Sequence, residues 1–520
     1  MSFLVHTAFA AAARRRPGKT AVRYQGREIS YAELEYDAGR LAAALRSGQP
    51  LSVGDRVGVF LPNRPEYYVA VLGVARAGLT VVPVPASATM RELTHFVQDS
   101  GMSVLLTDTT AAERMGGDLD AFVSAGVRVH VWERDFAGLP SVTRLIEQSP
   151  RTFTESSVDE WMPFFVGYTS GTTGRPKGAM VSHRARMTLM LMMGQEYGCY
   201  ASDDVTLVTT PLYHGAGLTR GLAPLVFGAT VELLPRFEAD RVAGMLSSGR
   251  VTGTFMVPTM FAAMFEAAPP TEPWGEAALT ILSNASALPE HLKEQILIAW
   301  PRARLFEIYG STEAGTVTSL RPVDICSKQR CVGQALAATE IELRDPDGAP
   351  VPVGEVGALW SRSPFAFNGY LGLPEATDRV LIDGFVGVGD LARMDDEGFV
   401  YIVGRDNDVI NSGGVNIYPR EIEEVLAAHP LVREVAVIGV PHERWGEAVH
   451  AVVVGPPGNE APDSGGELEQ ELIAHCRREL ARQKVPRTFE FRDRLPRTGS
   501  GKVRKRDLVK PATDQGAPPP

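Results

Sequence analysis

The segment from Met162 to Met180, MPFFVGYTSGTTGRPKGAM, constrains this chain more than any other. Its opening residues, Met162 to Gly167, are apolar and read as a buried strand. Thr169, Ser170, Gly171, Thr172, Thr173 and Gly174 follow, and Lys177 closes the polar run. Glycines let backbone N–H groups converge on an anion, hydroxyls add donors, and lysine adds a point charge, so the loop suits phosphate. It is not a P-loop: Lys177 is followed by Gly178, and the G-x-x-x-x-G-K-[ST] spacing is absent. Read alone, the same composition also suits a polar hairpin turn.

A chain of 520 residues is too long for one hydrophobic core, so at least two domains are expected. The apolar fraction of 44% and charged fraction of 22% are those of an ordinary globular protein. A net charge of −10 argues against nucleic acid as a partner, and any anionic substrate must be held by local positive charge. Cys199, Cys326, Cys331 and Cys476 show no C-x-x-C pairing, which favours reduced thiols in a cytoplasmic protein over disulfides or zinc. At the start the arginines follow the apolar run, the reverse of a secretory signal, and an amphipathic helix ending before Pro17 is expected. No uncharged apolar run reaches the ~18 residues of a membrane span.

From Asp55 to Pro85 the pattern is strand, helix, strand, with Pro65 in the first helical turn and Gly78 capping the end. Strands recur at Ser103 to Thr107 and Arg128 to Trp132, which implies an α/β layout with largely parallel strands. A strand at Thr254 to Val257 runs into a turn at Pro258, and Ile281 to Leu288 is a strand entering a loop. Beyond residue 407 the chain reads as a small β-α-β-β-α-β unit, with helices over Pro419 to His429 and Leu468 to Arg482. Residues 511–520 are low-complexity and expected to be disordered.

Further segments carry chemistry. PLYHGAG places Tyr213 and His214 before glycines, either lining an apolar cleft or packed in a loop. FEIYGSTEAG puts Glu313 among hydroxyls after a strand, an oxygen-rich setting for a Mg²⁺ that bridges phosphates. Asp390 follows Gly389 and offers a carboxylate able to accept both hydroxyls of a ribose. LPRTGSGKVRK sets Lys502 on a glycine-flanked loop, free to move and project, while the basic cluster Arg504, Lys505 and Arg506 reads as a solvated tail.

With these motifs together, the chain from about Val22 to Arg506 resembles the adenylate-forming superfamily of acyl-CoA synthetases, non-ribosomal peptide adenylation domains and beetle luciferases. The resemblance implies a large N-terminal domain (1–404) of layered, mostly parallel sheets with helices, a small α+β C-terminal domain (405–510) that rotates about Asn407, and a tail (511–520). It implies that Tyr309 stacks on adenine, Thr312 contacts phosphate, Glu313 holds the metal, and Lys502 is the catalytic lysine aided by Lys177. Gly310 and Ser311 would complete that loop, while Asp390 and Arg405 would hold and orient the nucleotide. Asn284 and Ala285 fall where relatives carry a glycine pair against the adenine and acyl carboxylate, with Ser286 beside them in the nucleotide site, and this is the clearest departure. The acid pocket would include Tyr213, His214, Gly215, Leu218, Val257 and Ser283, and Ser412, Gly413 and Gly414 would line the thiol path.

The function implied is an acyl-CoA ligase using ATP, Mg²⁺ and coenzyme A. The alternative is a member specialised to one half-reaction: thioesterification of an acyl-adenylate, or adenylation and loading of a carrier protein. A mostly apolar pocket wall suits an aromatic, alicyclic or medium-chain fatty acid, and no acidic residue awaits an amino group. A cytoplasmic monomer or homodimer is expected.

Overall fold

A computed structural model describes residues 3–47, 51–150, 157–169, 176–413, 415–455, 465–497 and 503–508. The chain divides into two compact units, Met1–Ile341 with Trp360–Val388, and Glu342–Leu359 with Gly389–Pro520. Among the described residues no helix is long and apolar enough to cross a membrane.

In the first unit, apolar β-branched strands alternate with helices, and the result is two large sheets. A seven-stranded sheet runs Gly369–Tyr370, Lys177–Ser182, Pro163–Thr169, Thr80–Pro83, Arg56–Phe60, Val104–Thr107, Arg128–Val131. Its five strands from Pro163–Thr169 onward are parallel, and two of them, Thr80–Pro83 and Val104–Thr107, are buried along their whole length, as sheets covered on both faces require. The antiparallel pairing of Pro163–Thr169 with Lys177–Ser182 makes the glycine-rich loop the tip of a hairpin, with Thr169 opposite Lys177.

The second sheet has nine strands: Gln334–Ala335, Gly315–Leu320, Arg304–Ser311, Thr280–Ser283, Gly253–Met256, Val205–Val208, Thr230–Leu233, Thr20–Tyr24, Arg27–Ser30. Arg304–Ser311 through Thr20–Tyr24 are parallel, and both ends turn antiparallel. The first helix, Val5–Arg15, stops before Pro17 as expected. Pro65 opens the helix Pro65–Arg76, and Gly78 follows its cap at φ +74°, a conformation that an L side chain resists. Pro258 corrects the reading of a turn: it sits at the first position of the helix Pro258–Ala267, where its missing N–H costs nothing.

In the second unit, the strands Val415–Ile417, Ile410–Ser412, Gly446–Val454 and Glu434–His442 form a sheet with Thr488–Phe491 beside Gly446–Val454. The helices Pro419–Ala427 and Gly465–Glu479 bury Ile422, Val425, Leu426, Leu472 and Cys476 against strand residues such as Val437 and Val449. Leu495 and Leu508 pack with Ile438 and Val452 in a separate cluster. The expected solvated basic tail is corrected here. Lys505 pairs with Glu423 at 2.6 Å, Arg504 and Arg506 lie within 3.7 Å of Asp507, and Leu508 is buried.

Candidate active site

In an open parallel sheet, ligands collect at the carboxyl ends of the strands, where loops and unpaired backbone groups converge. Four neighbouring strands of the nine-stranded sheet deliver the expected site residues there. Val205–Val208 leads to Tyr213 to Gly215, Gly253–Met256 to Val257, and Thr280–Ser283 to Asn284 to Ser286. The fourth, Arg304–Ser311, contains Tyr309, Gly310 and Ser311 and opens onto Thr312 and Glu313. Residues a hundred positions apart thus share one edge of one sheet.

Glu313 is the best-defined group of the site. It is 6% exposed, and its Oε1 accepts the Tyr370 hydroxyl at 2.9 Å and the Thr169 hydroxyl at 3.2 Å. Its Oε2 accepts no hydrogen bond among the described residues. Burial and the Glu313 carboxylate together push the Tyr370 phenol well up, so it stays a donor. The Lys177 ammonium lies 5.2 Å from the Tyr370 ring centroid. The bonds gather the hairpin Pro163–Thr169/Lys177–Ser182, the turn at Glu313 and the strand Gly369–Tyr370 around one carboxylate. The turn itself is tight: Ser311 accepts from the Ala314 N–H at 3.0 Å, and a Cβ on Gly310 would sit 2.0 Å from the Gly315 carbonyl.

Beside this cluster, Gly215 opens toward Thr312 and Phe165, each 3.8 Å from where its Cβ would be. His214 caps the helix Gly215–Phe227, with Tyr213 tilted against it at 4.7 Å between ring centroids. Leu218 and Ser283 are buried, Val257 is half-buried, and Ser286 is exposed. The departure from the glycine pair resolves in an unexpected way. Asn284 accepts the Ala285 N–H through its own Oδ1, and Ala285, not Asn284, takes the glycine-like φ of +82°.

In the second unit Asp390 and Arg405 face each other across the hairpin of Phe385–Met394 and Val400–Arg405, with Nε to Oδ1 at 3.0 Å. Asn407 is exposed in the short turn Asp406–Asp408. Ser412 is buried, and Gly413 has φ +62° with a Cβ position 2.6 Å from the Trp445 ring, so only glycine fits. Ser170, Gly171, Thr172, Thr173, Gly174, Gly414 and Lys502 lie outside the described residues. Arg497 and Val503 form a β-bridge on either side of the segment containing Lys502, and Arg497 pairs with Glu434 at 2.6 Å.

Sequence reasoning missed Tyr370, Arg186 and Arg220. Tyr370 gives no local signal, since only the sheet brings it to Glu313. Arg220 did give one, as the single charge in the otherwise apolar helix Gly215–Phe227, whereas Arg186 shares its helix with Arg184 and Glu196 and stands out only by its burial.

Comparison with known proteins agrees with this geometry. A family model described as AMP-binding enzyme matches residues 9–371, and one described as AMP-binding enzyme C-terminal domain matches residues 421–502. A feruloyl-CoA synthase from Amycolatopsis sp is 38% identical over 506 residues, covering 95% of this chain and 96% of the relative. A long-chain-fatty-acid–CoA ligase from Yersinia pestis is 34% identical, covering 93% and 90%. The crystal structure of ATP-bound MatB from Rhodopseudomonas palustris superposes with a TM-score of 0.87 at 30% identity, covering 98% of each chain. The buried glutamate at the end of a parallel strand, the hydroxyl-bearing hairpin beside it and the small sheet-and-helix unit that follows belong together because this chain is a member of the AMP-binding enzyme family.

Proposed function

We propose that the chain is an AMP-forming acyl-CoA ligase. It joins a carboxylic acid to ATP as an acyl-adenylate and then transfers the acyl group to the thiol of coenzyme A. The observation that carries this reading is Glu313, buried at the carboxyl end of a parallel strand with one oxygen fixed by Tyr370 and Thr169 and the other accepting no hydrogen bond among the described residues. The ligase names of relatives matched over nearly the whole chain support the choice of thiol acceptor.

In the first step a substrate carboxylate oxygen attacks the α-phosphorus, and the bond from that phosphorus to the bridging oxygen breaks, releasing pyrophosphate. The nucleophile is already an anion, so no general base is required, and catalysis rests on positioning and on stabilising negative charge. Thr169 to Gly174, Lys177 and Thr312 are the donors assigned to the phosphates, and Tyr309 and Asn284 to Ser286 flank the nucleotide. Asp390 and Arg405 are assigned to the ribose and nucleotide. Mg²⁺ is typically held by one or two carboxylates together with substrate phosphates, and Glu313 offers such a carboxylate. When bound there it would neutralise phosphate charge.

In the second step the thiol sulfur attacks the acyl carbon and AMP leaves. Lys502 serves adenylation and Ser412 to Gly414 the thiol path, with residues 405–510 turning about Asn407 between the two.

Running the half-reactions separately tests this. Acid-dependent ATP–pyrophosphate exchange and CoA thioester formation are both expected, and Lys502→Ala should lose exchange by about 10²-fold or more while converting a supplied acyl-adenylate normally. Equal loss of both activities in Lys502→Ala would contradict the division of labour. Exchange without CoA use would move the acceptor to a carrier protein.

A further inference from the structure

Two arginines occupy the interior of the first unit without a counter-charge among the described residues. Arg186, on the helix His183–Tyr197, and Arg220, on the helix Gly215–Phe227, are 6% and 5% exposed. Arg186 lies 4.7 Å from the Phe165 ring centroid and Arg220 4.3 Å from that of Phe255. Arg186 donates to the Thr219 hydroxyl, and Arg220 makes one long bond, 3.5 Å, to the Ala216 carbonyl. Arg186 Nε and Arg220 Nε and Nη2 are buried with no acceptor among the described residues.

No carboxylate among the described residues offsets either charge. Burial depresses both guanidiniums, Arg186 to about 9 with Arg220 adding repulsion. The neighbouring Tyr197 and Tyr200 phenols and Cys199 thiol are pushed up by burial, the thiol to about 12, so they remain neutral and supply no negative charge.

Arg220 also lines a small cavity with Thr206, Thr210, Thr254, Phe255 and Leu282, with room for about one water-sized group. The Thr206 hydroxyl likewise has no partner among the described residues. The strands that wall this cavity are those whose ends carry Val257 and Ser283, and the helix bearing Arg220 begins at Gly215. Arg186 packs on the Phe165 ring, which also lies 3.8 Å from the Cβ position of Gly215, so its guanidinium adjoins a residue assigned to the acid pocket.

A buried unpaired charge is costly, whereas the same charge beside a desolvated partner is strongly held. A guanidinium presents two parallel N–H groups that match a carboxylate. We propose that Arg220, assisted by Arg186, recognises a second carboxylate on the acid, so that the preferred substrates are dicarboxylic acids. This rests on the acyl-CoA ligase reading and adds a charged group to the mostly apolar pocket wall expected from the sequence.

The test pairs each diacid with a monoacid of equal length: succinate with butyrate, glutarate with valerate, adipate with hexanoate, terephthalate with 4-methylbenzoate. In the full-length protein, kcat/KM for CoA thioester formation should favour one diacid over its partner. Arg220→Leu should lower that diacid's kcat/KM on the order of 10²-fold while leaving the monoacid equal or better, and should raise the melting temperature of the ligand-free protein. Arg220→Lys keeps the charge but not the paired donors and should give an intermediate preference, and it carries the test if Arg220→Leu does not fold.

Binding is read separately by the rise in melting temperature with diacid, expected in the parent and absent in Arg220→Leu. Equal use of both acids, equal loss of both in the variants, or the same thermal shift from potassium chloride at matched ionic strength would overturn the proposal. Exchange with monoacids alone overturns it and leaves the ligase reading standing. Arg220-dependent binding of a diacid without exchange for any acid does the reverse.

Discussion

Ala285 shows how a single backbone angle records the demands of the site. At φ +82° it adopts a conformation that costs an L-residue about 1–2 kcal/mol, and Asn284 supports it by accepting the Ala285 N–H. Glycine would relieve the clash but gain freedom in the unfolded chain, so part of the benefit is lost. Ala285→Gly should stabilise the protein by about 0.5–1 kcal/mol, read as a higher denaturant midpoint with an unchanged slope; a lower midpoint would mean that the alanine methyl packs productively. The sequence exposed the departure from a glycine pair but pointed to Asn284. Which of the two residues bears the strain depends on how the chain leaves the strand Thr280–Ser283, and that is set by the parallel neighbours.

At the scale of elements, the loop from Asn284 to Leu288 is tied to the adjacent strand by a buried charge network. Glu307 accepts the Leu288 N–H at 3.0 Å, and Lys293 reaches Glu307 at 2.9 Å and Glu290 at 3.0 Å. Burial alone would depress the Lys293 ammonium, but the two carboxylates outweigh it and hold its pKa above the ordinary lysine value. The Lys293 ammonium therefore stays charged through neutral pH, and its contribution is lost as alkaline pH passes that raised value. Lys293→Ala strands a buried carboxylate and should cost about 3 kcal/mol or more in chemical denaturation, whereas the paired replacement Lys293→Met with Glu307→Leu should recover most of it. A loss below about 1 kcal/mol in the single variant would show that Glu307 finds other donors. None of this was legible from the sequence, because Lys293 and Glu307 are surface-type residues whose burial follows from the helix Glu290–Ala299 packing beside the strand Arg304–Ser311.

For the molecule as a whole, two imidazoles, His130 half-buried and His183 buried, set an acid limit on stability. His130 in the strand Arg128–Val131 is lowered to about 4 by burial, with Arg128 adding to it, and His183 to about 3 by burial, with His6 adding to it. Both folded values lie below the unfolded value of about 6.5, so the unfolded state takes up protons first. Their contribution is intact above pH about 6.5 and is lost as pH falls toward the folded values, at up to about 1.4 kcal/mol per pH unit for each group. The melting temperature should fall between pH 7.5 and 5.5, above most of the carboxylate range, and His183→Gln should flatten that slope. A melting temperature independent of pH across this window would contradict it.

What the sequence by itself determined is local and covalent: the hydroxyl-and-glycine loop before Lys177, the alternation of apolar strands with helices, Pro65 and Gly78 at helix ends, and the glutamate at the end of FEIYGSTEAG. These are short-range consequences of residue type, and they sufficed for the fold class and the family. Only the tertiary structure decided which groups meet. Tyr370 and Thr169 close on Glu313, and Arg186 and Arg220 are buried without a counter-ion among the described residues. Pairing across a sheet and exclusion of solvent depend on residues far apart in the chain, so neither a pKa, an orphaned donor nor a cavity exists until the strands are in register.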